Sequence, residues 1–173
     1  MVINFQIQGL KNLERKLKAT QDMLRSLKPY WKSVGSYIQR QTINERFKKE
    51  QSPNGEKWKP LSVMTKAMRS KKHKKGNIKI LQDSGELRRS IAYEAGNNYV
   101  KVGSVLKYAR IHQFGGSINV SNKQRGYLLH RGFHVGRTIT IQARPFLGIS
   151  QQELKHIKSM FKSYIKRRIT GGG

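Results

Sequence analysis

The chain has 173 residues, no cysteine, and 36 Lys or Arg against 9 Asp or Glu, a formal net charge of +27. The length suits one domain. The missing cysteines exclude disulfide scaffolds, thiol catalysis and zinc–thiolate sites, and no apolar run approaches the ~18 residues of a membrane span. The charge makes a polyanion, or a neutralising assembly, the first partner to consider. It is not confined to a tail. Residues 1–94 carry 22 basic and 8 acidic side chains, and residues 95–173 carry 14 basic and one acidic, Glu153.

Val2 to Gln8 alternate, with Ile3, Phe5 and Ile7 on one side and Asn4 and Gln6 on the other, the pattern of a half-buried strand. The same opening lacks the basic region and long apolar stretch of a signal peptide, which predicts synthesis in the cytoplasm. From Leu10 the period changes. Leu10, Leu13, Leu17, Leu24 and Leu27 fall close to one stripe, predicting a helix over residues 10–27. Pro29 suits the first turn of a second helix. That helix runs to about Lys49, with Trp31, Val34, Ile38 and Phe47 on one face and Gly35 weakening it.

Residues 51–60, QSPNGEKWKP, are turn chemistry: Pro53 fixes φ, and Asn54-Gly55 tolerates positive φ. Trp58 beside them reads as a lid on the core rather than a ligand contact. Ser62 to Met68 predicts one or two helical turns. A basic loop over residues 69–79 follows, holding Arg69, Lys71, Lys72, Lys74 and Lys75 with His73. A solvated loop and a set of DNA-phosphate contacts are equal readings of it. In ILQDSGELRRSI, residues 80–91, Ser84 or Asp83 can cap a short helix carrying Leu87 and Ile91. Ala92–Ala95 and Tyr99–Val102 around Gly96-Asn97-Asn98 predict a hairpin.

Lys107 to Phe114 predicts a short helix or turn, and as a helix it has Tyr108, His112 and Phe114 on roughly one face, packed on the sheet. Gly115 and Gly116 permit a sharp exit from it. Residues 117–136 read as a long loop or extended arm, and Thr138 to Gln142 as a strand that ends before Pro145. Ser150-x-x-Glu153 is a capping box that opens a helix with Leu154, Ile157, Phe161 and Ile165 as its apolar stripe. The order strand, helices, strands, helix predicts a single α+β domain over residues 1–173. In it a mainly antiparallel sheet packs with N-terminal helices and a C-terminal helix, and residues 171–173 form a flexible tail.

The residues offer little chemistry. His130 and His134 have a helical metal-ligand spacing, but Gly132 and Gly136 argue against a helix there and no carboxylate lies near. His112 lacks a nucleophile partner, so a structural hydrogen bond is its better reading. Asp83 and Glu86 flank the predicted cap, and no glycine-rich segment matches a P-loop. The expectation is a protein that is not an enzyme, with no metal and no cofactor.

Four segments carry a resemblance as a set: Phe47–Leu61, Ile80–Ile91, Val102–Gly116 and Ala143–Ser150. They contain Ser52-Pro53-x-Gly55 with Trp58-x-Pro60-Leu61, then Gly85-x-Leu87-x-x-Ser90-Ile91. Tyr108-Ala109 with His112-Gln113-Phe114-Gly115-Gly116 follows, and Arg144-Pro145-Phe146 closes the set. In order and spacing this resembles the virion-morphogenesis or tail-completion family of tailed phages, of the Mu-like type, over roughly residues 30–168. Ser84-Gly85 departs from an expected Thr-Gly pair.

The resemblance implies a structural protein of the phage neck or tail end, acting by assembly and located in the virion. Its implied partners are copies of itself in a ring, with a hexamer as one candidate, the tail tube or tail terminator, and the head connector. Contact with genomic double-stranded DNA in the channel is also implied, and no membrane. Residue by residue, the motif side chains are assigned to fold maintenance ahead of partner contact. Arg144 is expected to pair with a carboxylate or carbonyl within the fold or across an interface, and the 117–136 arm to make the inter-subunit contact. The alternative function is a basic nucleic-acid-binding protein outside the virion, supported by the charge and the 69–76 run but lacking a recognisable reading motif.

Overall fold

The structure is a computed structural model that describes residues 10–72 and 78–170. The predicted strand over residues 2–8 and the tail 171–173 lie outside the described residues, as do His73, Lys74 and Lys75.

Helix α1 spans Leu10–Arg25 and α2 Lys28–Arg40, with Pro29 in the first turn of α2. The chain then continues without a break through a π-helical turn, Gln41–Arg46, into the short α3, Phe47–Lys49. The Phe47 N–H donates to the Thr42 carbonyl, five residues back. This wider turn shifts the helical register, so the predicted single stripe divides. Val34 and Ile38 pack in one cluster, with Trp31 at its edge, and Phe47 packs in another. The helix ends at Glu50, whose positive φ of 54° is the left-handed conformation of a helix C-cap.

Helix α4, Val63–Lys72, is longer than the one or two turns predicted, and it takes in the first four residues of the run expected to be loop. Helix α5 is only Glu86–Arg89; Ile91, assigned to it from the sequence, instead begins a strand. Strands β1, Ile91–Ala95, and β2, Val100–Ser104, form the predicted hairpin, in register from Ile91 opposite Ser104 to Ala95 opposite Val100. Helix α6, Ala109–Phe114, also forms as expected.

The segment 117–136 is not a loop. Strand β3, Gly116–Asn119, pairs antiparallel with β4, Thr138–Ile141, and helix α7, Asn122–His130, sits at the end of this ribbon. Ser121 and Gln124 form a capping box for α7: the Gln124 N–H donates to the Ser121 hydroxyl and the Ser121 N–H to the Gln124 side chain. Helix α8, Gln151–Thr170, opens with the predicted box, the Ser150 N–H donating to the Glu153 carboxylate at 2.7 Å. The class is thus α+β with N-terminal and C-terminal helices, and the antiparallel strands are divided between two small sheets.

Two apolar clusters hold the body. One joins α2 to α8 and the β1–β2 hairpin through Tyr30, Val34, Ile38 and Ile157. Met160, Phe161 and Tyr164 extend it, whereas Leu154, read as part of the stripe, is exposed. The other contains Phe47, Trp58, Leu81, Leu87, Ile91, Ala109 and Phe146. Phe47 and Phe146 are fully buried, and the Phe47 ring meets Trp58 edge-on at 5.5 Å.

Between the clusters lies a buried ion pair. Arg46 Nη2 donates to both Glu153 oxygens, at 2.6 and 2.7 Å, and Nη1 donates to Thr42 Oγ1 and the Phe146 carbonyl. Every described polar contact of this guanidinium is inside the body.

Gly35 marks the closest approach of α2 to the β1–β2 hairpin. A Cβ there would lie 2.3 Å from the Tyr93 ring and 2.9 Å from Val100. The residue that weakens the helix as a helix is the one that lets it reach the sheet. Gly35→Ala is expected to destabilise the fold by about 1–3 kcal/mol despite its better helix propensity. Urea unfolding followed by circular dichroism measures this; an alanine variant as stable as the parent contradicts the packing.

Candidate functional site

The motif segments, distant in sequence, meet in one place. Ser52 closes the 52–56 turn: its N–H donates to the Glu56 carbonyl, its carbonyl accepts from the Gly55 N–H, and its hydroxyl accepts from the Glu56 N–H. Pro53 and Gly55 shape this turn, Gly55 at φ 88°. The turn delivers Trp58 to the core as the predicted lid, and its indole Nε1 donates to the Pro145 carbonyl at 2.8 Å.

Arg144 reaches back to the same segment. Its Nε donates to the Lys59 carbonyl and its Nη2 to the Pro60 carbonyl, each at 2.8 Å, and its backbone N–H donates to the His112 carbonyl. Of the partners the sequence left open, the structure supplies carbonyls within the fold. Gln113 completes the crossing: its Oε1 accepts from the Phe146 and Leu147 N–H groups, and its Nε2 donates to the Leu147 carbonyl. One amide thereby satisfies three backbone groups of the 144–148 segment, which has no strand partner of its own at that point. Gly115, at φ 73°, passes so close that a Cβ would sit 2.8 Å from the Ala143 nitrogen.

Around this crossing is an open groove of about 1060 Å³. It is lined by Leu61 and α4 and by the β3–β4 ribbon and α7. The 81–87 turn, with Gly85 and Leu87, and His112 and Arg144 also line it. Tyr108 donates its hydroxyl to Glu86 and meets His112 edge-on at 5.9 Å. Phe114 does not join them. It is 72% exposed, so the three do not form one packed face.

Arg69, read as a phosphate contact, is engaged within the fold: it donates to the Lys79 carbonyl and lies 3.8 Å from Asp83. Lys71 and Lys72 fall in the last turn of α4. No group of three His, Cys, Asp or Glu among the described residues could hold a metal ion. The groove is lined by apolar side chains together with Arg69, Asp83, Glu86, His112 and Arg144.

The sequence model of the phage virion morphogenesis family matches residues 8–166. The chain belongs to that family. It is 28% identical over 123 residues to the Mu-like prophage FluMu G protein 1 of Haemophilus influenzae, covering 71% of this chain and 69% of that one. It is 36% identical over 90 residues to the FluMu G protein 2 of the same organism, covering 50% of this chain and 54% of that one. No solved structure matches it. The chain is a phage morphogenesis protein, associated with the virion, and no described helix is long and apolar enough to cross a membrane. In this family member the motif residues that interlock here are backbone ties, which explains their spacing along the chain.

Two features escaped sequence reading. The Arg46–Glu153 pair spans 107 residues with no local signature. The helix within the arm did carry one, the Ser121-x-x-Gln124 box.

His112 links the site to pH. Burial, then the charges of Arg144 and Arg69, hold its pKa below the ordinary 6.5. The unfolded chain therefore takes up a proton first, and stability present above pH 6.5 is lost as pH falls from there toward the folded value. Wild type is expected to lose stability between pH 7 and pH 5 more steeply than His112→Gln. Parallel slopes in denaturant titrations at those two pH values would show that His112 is not the group responsible.

Proposed function

We propose that this protein is a structural component of the phage neck or tail end that completes the tail, or joins it to the head, by assembling into a ring without catalysis. The observation that carries this is the arm. From Gly116 to Ile141 no residue is buried, although the segment is folded as a ribbon and a helix. A lone two-stranded ribbon is marginal in water, and ordering some twenty-six residues costs conformational entropy that the arm's own contacts do not recover. The arm and its root also expose Phe114, Ile118, Tyr127 and Leu129. Such a surface gains its burial in an assembly.

The arm carries Lys123, Arg125, Arg131 and Arg137 and no carboxylate. Eight of the nine acidic residues precede residue 95, and the ninth, Glu153, is taken by Arg46. Residues 1–94 remain net positive, so a contact between the arm of one copy and the body of the next would rest on the arm's exposed apolar side chains; such a contact is heterologous, the kind that closes into rings. The tail tube or terminator and the head connector are the neighbours such a ring would meet.

The experiment is an early stop codon in this gene, within the phage genome that carries it, with lysates imaged by electron microscopy. Filled heads accumulating apart from tails, or tails with abnormal ends, are expected. Normal intact particles would reject the neck reading and favour a basic nucleic-acid binder outside the virion. As a companion, residues 117–140 are replaced by a two-residue Asn-Gly turn, since Gly116 and Ile141 are paired across the ribbon. The shortened chain is expected to fold as a monomer and fail to restore particles. A shortened chain that assembles normally, or that no longer folds, contradicts the role given to the arm.

A further inference from the structure

Helix α8 presents four lysines in one row. Lys155, Lys158, Lys162 and Lys166 are spaced three or four residues apart, so they lie on a single face, and all four are exposed. The row is opposite Ile157 and Tyr164, which bind the helix to the body, and it extends about 16 Å along the axis. The rod beneath it is held rigidly. Phe161 meets Tyr30 edge-on at 5.1 Å, and the Tyr30 hydroxyl donates to the Ile157 carbonyl in mid-helix. The helix has one carboxylate, Glu153, and it is turned inward to Arg46.

We propose that this lysine row is a contact surface for the phosphate backbone of duplex DNA. Many cations elsewhere are used within the fold. Arg46, Arg69 and Arg144 bond carbonyls, Lys49 pairs with Glu45, and Lys57 donates to the Lys49 carbonyl. Lys155, Lys158 and Lys162 form no hydrogen bond or ion pair with any described residue, whereas Lys166 has an interaction within the fold and supplies charge to the row. The composition of the row selects the partner. Protein interfaces are depleted in lysine and built on aromatic anchors, and the row has four lysines and no aromatic residue. Point charges repeated along a straight, preorganised rod suit a polyanion contacted through phosphates, without base reading. Net charge argues the same way. Copies carrying +27 each repel when brought together, and a polyanion relieves that repulsion. The inference does not depend on the ring reading, because it concerns the free chain as well.

The test uses the purified full chain and a fluorescent 30-base-pair duplex, with anisotropy measured from 50 to 300 mM NaCl. The variant Lys155→Gln/Lys158→Gln/Lys162→Gln/Lys166→Gln is compared with a charge-matched control, Lys32→Gln/Lys48→Gln/Lys107→Gln/Lys123→Gln, whose sites are also exposed. Each phosphate contact contributes about 0.9 to the slope of log K against log salt. The α8 variant is expected to lose about 3 from that slope and at least about tenfold in affinity at 150 mM salt, and the control much less. Equal losses in the two variants would assign binding to bulk charge and overturn the proposal. So would an α8 variant that binds duplex normally but no longer stays with purified particles, an outcome that would give the row to an acidic protein. The early-stop phage reports on particle assembly and this assay on duplex binding, so the two readings fail separately.

Discussion

The body of this protein is organised around one buried guanidinium. Arg46 sits in a π-helical turn and is 2% exposed, so each of its donors needs a partner inside the fold. It finds Thr42 on its own turn, the carbonyl of Phe146 in the Arg-Pro-Phe segment, and the carboxylate of Glu153 at the start of the C-terminal helix. Burial pushes the Arg46 pKa down, and Glu153, through its charge and its hydrogen bonds, opposes that push. Glu153 in turn accepts from the Ser150 N–H, so the same carboxylate that neutralises Arg46 also caps α8. Three chain segments are thereby fixed relative to one another by one charge pair. Such a pair adds little over a well-packed apolar substitute, but removing one partner strands a charge, at a cost of about 3–5 kcal/mol.

From this centre the division of labour in the fold follows. The interlocked segments around Trp58, Gln113 and Arg144 use their polar groups on backbone carbonyls and N–H groups, so they serve to hold the body and the root of the arm. The surfaces left over are of two kinds. One is the arm, folded but without a buried residue, and the other is the cationic face of α8. An assembly protein needs both a rigid body and surfaces that are completed by neighbours. At a net charge of +27, copies of this chain repel one another unless an anionic partner offsets that charge.

Local signals in the sequence were read well. The Ser150-x-x-Glu153 box, the helix over α1, the Gly-Asn-Asn turn between β1 and β2, and the lid role of Trp58 each depend on residues close in the chain, or on burial of one large ring, whereas Leu17 and Leu24 of the α1 stripe are exposed. The misreadings come from longer-range causes. The stripe through Trp31, Val34, Ile38 and Phe47 assumed an unbroken α period, which the π turn interrupts. Ile91 fitted a helical spacing from Leu87, but its pairing with Ser104 across the hairpin places it in a strand. Residues 117–136 read as a long loop or extended arm because their Gly, Asn, Arg and His content outweighs the Ser121-x-x-Gln124 capping box. For Arg144 the sequence gives the kind of partner, a carbonyl or carboxylate, but not which one, and for Gln113 it gives no partner, because the carbonyls of Lys59 and Pro60 and the 146–147 backbone lie more than thirty residues away.

The claim that one charge pair ties the two clusters together is tested most directly by a double-mutant cycle. Arg46→Met, Glu153→Leu and the combined variant would be compared with wild type in urea unfolding. The account expects each single change to cost several kcal/mol and the double change to cost less than their sum by about 2–3 kcal/mol. Single-variant losses that add to within about 0.5 kcal/mol would contradict it, because the two side chains would then contribute to the fold independently.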